Sequence, residues 1–297
     1  MVMWAPHSSG TLAVRPLIMP HPVLHFTPAS TLSLESVAVL YTRTFADYFY
    51  NAFITAAHMQ IFVRVEQIDL TRSPVLYAGS QPVGLATVGV RGERSYCKGF
   101  GIVVPFRGRG LAALLCGEVI RQARLAGART LQLGVLKQNE RAVRTYLSAG
   151  LHVWRELQSF EWDDRSDPIA AADMPAMQAD EPLALLDHYA ALHPVTPVWG
   201  RDLTSLQEMD DLSGMVLPVK CGPAPYVLYE PGEEGTVTIM DIAAPRAEQA
   251  VALLSHLKRM HRRIVCNNEP DGSPMLDAFA AAGFRNSARR FEMVMDL

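Results

Sequence analysis

Cysteine is scarce in this 297-residue chain, and none of it is paired: Cys97, Cys116, Cys221 and Cys266 lie far apart, with no CxxC among them. That spacing excludes a disulfide framework and a cysteine zinc site, and it reads as the reduced thiols of a cytosolic protein. Histidine is not clustered either. His188 and His193, and His256 and His261, flank expected helix ends and read as surface or capping residues, so no metal is expected. No apolar run approaches the ~20 residues of a membrane helix. Residues 1–20 lack an early positive charge before an apolar stretch, which argues against a secretory leader and for a loose extension. An excess of basic charge is missing too: 27 Lys+Arg against 30 Asp+Glu leave a net charge of −3. A nucleic-acid partner therefore has no electrostatic footprint here.

What is present is core material. The chain is 49% hydrophobic and 19% charged, which suits a folded globular protein with a sizeable interior. Its length favours about two domains.

Periodicity orders the first half. Strands are expected at 23–26, 75–78, 82–90, 96–104, 131–136 and 152–162. Helices are expected at 33–49 with Thr31 or Ser33 as cap, at 56–68, at 111–126, and from an Asn139 cap to 149. Residues 163–182 hold Asp163, Asp164, Asp167, Pro168, Asp173, Pro175, Asp180 and Pro182, an acidic, proline-bearing linker. A weak internal repeat follows. Leu131 opens a strand and Gly150 ends the next helix nineteen residues later; Ile264 and Gly283 stand at the same offset, and each pair is followed by a closing strand. A hairpin at 226–242 and a helix at 247–260 precede the second pair. The second half reads as a copy of the first.

The most informative stretch is Phe100-Gly101-Ile102-Val103-Val104-Pro105-Phe106-Arg107-Gly108-Arg109-Gly110-Leu111-Ala112-Ala113. A strand runs into a turn of glycine and arginine, and a helix starts. Backbone N–H groups at a helix start, the positive end of the helix dipole and side-chain-free glycines make an anion site. Three readings compete. One is a helix start that uses glycine for tight packing. Another is a dinucleotide fingerprint, since Gly108-x-Gly110-x-x-Ala113 fits G-x-G-x-x-A. That motif wants an acid about 20 residues on and a preceding βαβ unit, and here Leu131, Gln132 and Leu133 follow while hairpin-linked strands precede. A Walker loop fails for want of Gly-Lys-Ser/Thr. The third reading is a coenzyme A pyrophosphate loop.

On these residues the chain resembles the GNAT superfamily of acetyl-CoA-dependent N-acyltransferases. That family's loop, Gln/Arg-x-x-Gly-x-Gly/Ala, is matched by Arg107-Gly108-Arg109-Gly110-Leu111-Ala112. Asn139, Ala142, Tyr146 and Gly150-Leu151 match residues the family often shows around its next helix. The resemblance covers about residues 22–165. It implies an α+β fold of two tandem GNAT-like domains, each a mixed, mostly antiparallel sheet flanked by helices. The expected division is an extension at 1–21, a catalytic domain at 22–165, a linker at 166–182 and a degenerate domain at 183–297.

The resemblance also implies a reaction, transfer of acetyl from acetyl-CoA, a cosubstrate, to a small amine by direct attack. The loop from Arg107 to Ala112 would hold the pyrophosphate, with the arginines adding charge. Ile102, Val103 and Val104 would pair through backbone groups with the pantetheine arm, between two parallel strands that part there. Asn139 belongs to the same coenzyme site. Tyr146 stands where the family places the acid that protonates the departing thiolate; on its own it reads as a half-buried helix aromatic. The family's strand glutamate is absent, and Tyr96 occupies its place. Alternation puts Tyr96, Lys98 and Phe100 on one face, with Tyr96 as a proton relay or a packing residue and Glu93 in a nearby turn. Acceptor selectivity is assigned to the segment holding Asp47, Tyr48 and Tyr50, with the acid for a cationic amine and the aromatics as walls.

The second half lacks this loop: Ala243-Ala244-Pro245-Arg246-Ala247-Glu248 stands at its helix start, Phe279 matches Tyr146, and Gly272 replaces Asn139. One active site, in the N-terminal half, is expected. A non-catalytic acyl-CoA-binding sensor or structural protein is the alternative. No nucleic-acid or membrane partner is expected, a cytoplasmic location is, and a homodimer is compatible with the sequence.

Overall fold

The structure is a computed structural model that describes residues 22–50, 52–165 and 177–297. The expected 1–21 extension and most of the expected linker, 166–176, lie outside the described residues.

Capping chemistry sets the first helices. The Ser33 hydroxyl accepts from the Ser36 N–H and starts α1 (Leu34–Thr44), and Thr55 accepts from the His58 N–H and starts α2 (Ala56–Val65). Around them run β1 (Leu24–Pro28), β2 (Pro74–Ala78), β3 (Gln81–Arg91), β4 (Arg94–Ile102), α3 (Leu111–Leu125), β5 (Thr130–Leu136), α4 (Glu140–Ser148) and β6 (His152–Asp163). The second half contains β7 (Gln178–Asp180), α5 (Pro182–Leu185), α6 (Tyr189–Leu192), α7 (Leu203–Gln207), β8 (Ser213–Val216), β9 (Tyr226–Pro231), β10 (Thr236–Ala243), α8 (Ala247–Met260), β11 (Arg263–Pro270), α9 (Met275–Ala281) and β12 (Arg285–Asp296). Part of the expected linker is thus structured: 178–180 form an edge strand on β8.

The fold is α+β with a mixed, mostly antiparallel sheet. Among the described residues the strands join in one sheet, ordered β1-β2-β3-β4-β5-β12-β6-β11-β10-β9-β8-β7. Only the pairs β4·β5 and β10·β11 are parallel. The order shows that the last strands of the two halves are exchanged. β12, from the end of the chain, pairs antiparallel with β5, while β6 pairs with β11. Burial follows the exchange. Met293 of β12 is fully buried in the first core with Val37, Leu85, Leu115 and Leu131. Phe160 and Trp162 of β6 are buried in the second core with Leu253, Ile264 and Phe279. Each core is therefore closed by side chains from the other half, and apolar burial of this kind is the main stabilising term in folding.

Both parallel pairs separate after a few rungs. β4 and β5 are paired from Arg94↔Thr130 to Cys97↔Leu133 and then part. Beside the parting, β4 carries an extra residue against β3: Cys97 faces Val88, Gly99 faces Thr87, and Lys98 is the bulge. The second half repeats the device, with β10·β11 paired from Thr236↔Arg263 to Ile239↔Cys266 and Met240 as the bulge against β9. A bulge bends a strand and raises its local twist, which carries β4 and β10 away from their parallel neighbours.

Candidate active site

The loop after β4 is built as the sequence implies. Gly108 and Gly110 hold left-handed φ of +74° and +77°, and a Cβ at either would meet nothing within 4 Å. Glycine is needed there for the backbone turn, and the space above it is open. Gly110 is the N-cap of α3, with Leu111 and Ala112 opening the helix and no acid in its first turn. Among the described residues, the N–H groups of 108–112 have no acceptor outside the helix. They face open space at the positive end of a fifteen-residue helix. Arg109 lies over the Phe106 ring at 5.3 Å. Beside the loop, a groove of about 540 Å³ between α3 and α4 is lined by Ala113, Gly117, Arg141, Arg144 and Thr145.

Arg107 departs from expectation. Its guanidinium donates to the carbonyls of Ile102 (2.9 Å), Thr44 (3.0 Å) and Ala46 (2.7 Å), and its backbone N–H to Val104. Rather than adding charge to the loop, it ties the end of α1 to the end of β4. Ile102, Val103 and Val104 are affected too. Their three carbonyls are taken by Arg107 Nε and by the N–H groups of Phe106 and Arg107, and the Val103 N–H donates to Val83. The edge of β4 left without a β5 partner begins after Cys97, at Lys98, four residues before the expected Ile102.

Tyr146 lies at the parting. It is buried, packed edge-on against Phe100 with ring centroids 5.4 Å apart, and among the described residues its hydroxyl has no hydrogen-bond partner. Burial, with the Cys97, Cys116 and Tyr48 groups nearby, pushes its hydroxyl well above the ordinary tyrosine range, so it stays protonated. Asn139 caps α4, accepting from the Ala142 N–H at 3.3 Å, and its side chain lies near the Tyr48 hydroxyl. Tyr48, in the α1–α2 loop, therefore sits by the start of α4. Its ring meets Tyr50 at right angles, with centroids 4.9 Å apart. Asp47 sits in a left-handed turn of φ 59° and is exposed, with no ion pair among the described residues.

The expected common face of Tyr96, Lys98 and Phe100 does not form. The Lys98 bulge reverses the alternation, so Phe100 meets Tyr146 of α4 while Tyr96 stacks on Trp199, 5.5 Å between centroids. Burial, with Glu292 and Glu66 nearby, holds the Tyr96 hydroxyl well above its ordinary range, which makes it a poor proton acceptor. Glu93 remains in the β3–β4 turn, its side chain on Arg129. Glycines 99 and 101 matter on the same strand: a Cβ at Gly99 would stand 2.5 Å from Tyr41, and one at Gly101 2.7 Å from Thr44. They let α1 lie directly on β4.

Three residues around Tyr96 were not expected. Glu66, following α2, bonds Lys98 at 2.6 Å. Trp199 reaches over from the second half and donates its indole N–H to the Glu66 carbonyl at 2.9 Å. Glu292, on β12, is 1% exposed and accepts from Arg155 Nε at 2.6 Å. None announces itself locally, because each meets the site through contacts more than a hundred residues long or through a bulge.

The corresponding place in the second half is filled. Arg201 lies where β10 and β11 part, bonded to Glu269 (2.5 Å), the Met240 carbonyl (2.9 Å) and Asp241 (3.5 Å). Asp241 also holds the Tyr226 hydroxyl (2.7 Å) and His193 (3.1 Å). His193 is therefore a member of a buried network rather than a surface residue. Glu248 stands in the first turn of α8, where an anion would meet a negative charge.

An open helix start with free backbone N–H groups thus stands beside two parallel strands that part next to a buried tyrosine. Residues 37–151 match the acetyltransferase (GNAT) family. Among solved structures the chain is similar to a GCN5-related N-acetyltransferase from Sphaerobacter thermophilus, with TM-score 0.66, 15% identity, and 92% of this chain and 95% of that one covered. It is also similar to a tandem GNAT protein from the clavulanic acid biosynthesis pathway (TM-score 0.65, 16% identity, 92% and 98% covered). A GCN5-related N-acetyltransferase from Anabaena variabilis follows (TM-score 0.60, 15% identity, 92% and 72% covered). At these identities the likeness is one of fold, and the fold is that of tandem GNAT proteins. No curated protein matches the sequence. Among the described residues no helix is long and apolar enough to cross a membrane, and no group of side chains is arranged to hold a metal ion.

Proposed function

We propose that this protein is an N-acetyltransferase with one active site, in its 22–165 half, taking acetyl-CoA as donor and a small amine as acceptor. The observation that carries the reading is the conjunction of free N–H groups at 108–112 with the parted edges of β4 and β5. The loop suits a pyrophosphate, and Arg109 is the arginine placed to add charge. The unpaired edge of β4 beyond Cys97 suits an amide-rich arm laid in as an extra strand. Arg141 and Arg144 border the groove next to the loop and suit a second phosphate.

The amine attacks the thioester carbonyl, forming the C–N bond and breaking the C–S bond. Tyr146, kept protonated by burial, gives its proton to the departing thiolate. Tyr41, Tyr48 and Tyr50 wall the acceptor side, and Asp47 stands at its rim. We assign 183–297 the role of a non-binding partner half, because Arg201 and Asp241 occupy its gap.

Thermal denaturation with acetyl-CoA, CoA and NAD tests the donor, since a ligand of the native state raises its melting temperature. A rise with both CoA forms and none with NAD is expected; no response to either CoA form overturns the reading. Acetyl transfer to a panel of amines then separates an enzyme from a sensor.

A further inference from the structure

We propose that Glu292, carried into the N-terminal site by the exchanged strand β12, is the general base that takes the proton from the acceptor amine. The inference rests on the acetyltransferase reading and adds a residue to it.

The argument starts from register. Glu292 lies directly opposite Gly134 of β5, one residue past the last rung that β5 shares with β4, Cys97↔Leu133. Residues directly opposite on antiparallel strands project on the same face. Gly134 puts no side chain there and is exposed, and the Tyr96 hydroxyl stands 3.0 Å from where its Cβ would be. Glu292 therefore shares with Tyr96 one face of the sheet, at the level where the sheet opens, and the Tyr96 hydroxyl fills the place a side chain at 134 would take.

The other acids fit the task less well. Glu66 lies against Gly200 rather than beside Gly134, Glu93 is in the far turn, and Asp47 is exposed. Glu292 is among the most buried charged groups in the chain, and it is held from one side, by Arg155 Nε on Oε2. Arg155 is fixed in turn by the Thr196 carbonyl at 2.5 Å. Replacing a buried ion pair with apolar residues is often neutral or stabilising, so stability alone gives a weak reason to keep one where the sheet opens.

Groups facing the carboxylate are Arg155 from β6, and Arg94, Lys98 and Tyr96 from β4; Glu66 from the end of α2 and Arg290 from β12 itself act on the same Tyr96. Burial outweighs the cations and raises the Glu292 carboxyl above its ordinary 4.5, toward the range a base needs near neutrality. In the step, the acceptor ammonium gives one proton to the Glu292 carboxylate, which passes it to solvent. The amine lone pair then attacks the thioester carbonyl. The second nitrogen proton, lost as the C–S bond breaks, returns to the tyrosinate left when Tyr146 has protonated the thiolate, so the sum releases one proton to solvent.

Glu292→Gln keeps the shape and an acceptor for Arg155. With acetyl-CoA and an amine the wild type acetylates, it is expected to lower kcat/KM for the amine about a hundredfold. It is also expected to flatten the acidic limb of the pH–rate profile and leave the melting-temperature rise with acetyl-CoA in place. Glu292→Asp, which keeps the charge but withdraws it by one methylene, is expected to lower kcat at unchanged acetyl-CoA affinity; it serves if Glu292→Gln does not fold. Wild-type kcat/KM and an unchanged profile in either folded variant overturn the assignment alone. A wild type that binds acetyl-CoA and acetylates no amine overturns both the assignment and the reading beneath it.

Discussion

Single residues in this chain divide into those that shape the site and those that would act in it. Arg107 belongs to the first kind. Its position in the motif is legible, but the three carbonyls it bonds come from α1 and β4 and only the folded chain brings them together. Tyr146 belongs to the second. Its hydroxyl is free among the described residues and held protonated by burial. Tyr146→Phe keeps the ring against Phe100 and removes only the acid. We expect kcat to fall about a hundredfold, the usual lower range for losing one proton-transfer group, with acetyl-CoA affinity unchanged by calorimetry. Gly110 tests the loop. A methyl at Gly110 meets no atom within 4 Å, so the fold accommodates it at the strain of a left-handed residue, about 1–2 kcal/mol. That methyl projects into the open space where the phosphate would lie. Gly110→Ala is expected to weaken acetyl-CoA binding about tenfold or more while the melting temperature falls by only a few degrees.

Elements were legible where one period governs them. The amphipathic helix expected at 247–260 is α8, Ala247–Met260, and the hairpin expected at 226–242 is β9 and β10. The short helices between Pro182 and Gln207 were not, because four- and five-residue turns carry no periodicity to read. Yet that segment joins the halves. Trp199 stacks on Tyr96 in the first half, and Arg201, two residues on, fills the parting of β10 and β11 in the second. The loss of the second loop could be read from the sequence; the plug could not, since Arg201, Asp241 and Glu269 are distant in the chain. The network has a pH signature. Burial pulls the His193 imidazole down, but the Asp241 hydrogen bond and charge and the Tyr189 carbonyl outweigh it and raise it above 6.5. A raised value in the folded state means a contribution fully present below 6.5 and lost as pH climbs through the folded value. Asp241 runs the other way: it is held below 3.8, and its contribution is lost only as strong acid protonates it. His193→Gln should therefore lose most stability against the wild type below pH 6.5, and the gap between the two urea midpoints should narrow as pH climbs through the folded value. Parallel curves across that range would contradict the assignment.

At the scale of the molecule, the tandem arrangement is more than two copies joined by a linker. The repeat in the sequence shows that each half ends in a strand, but nothing in it shows which neighbour that strand takes. Strand partners are chosen by which apolar face is left uncovered, and here the uncovered edge of β5 is met by β12 and that of β11 by β6. Consequently the segment 22–165, complete as a sequence unit, is incomplete as a fold. Alone it leaves one edge of β5 unpaired and the first core without Met293, a fully buried side chain. It also carries Phe160 and Trp162 with no second core to enter. Loss of one buried large apolar side chain typically costs about 2–5 kcal/mol, a sizeable share of a domain's stability. An unpaired central edge is also a template for another strand. Expressed alone, 22–165 is expected to self-associate, its own β6 taking the place of β12 in a neighbour. Co-expression with 177–297 should restore a one-to-one complex of the size of the whole chain. Size-exclusion chromatography with light scattering reads both outcomes. A stable, acetyl-CoA-responsive monomer of 22–165 would show that β6 can close its own half, and that the exchange is a choice between two nearly equal pairings rather than a requirement of the fold.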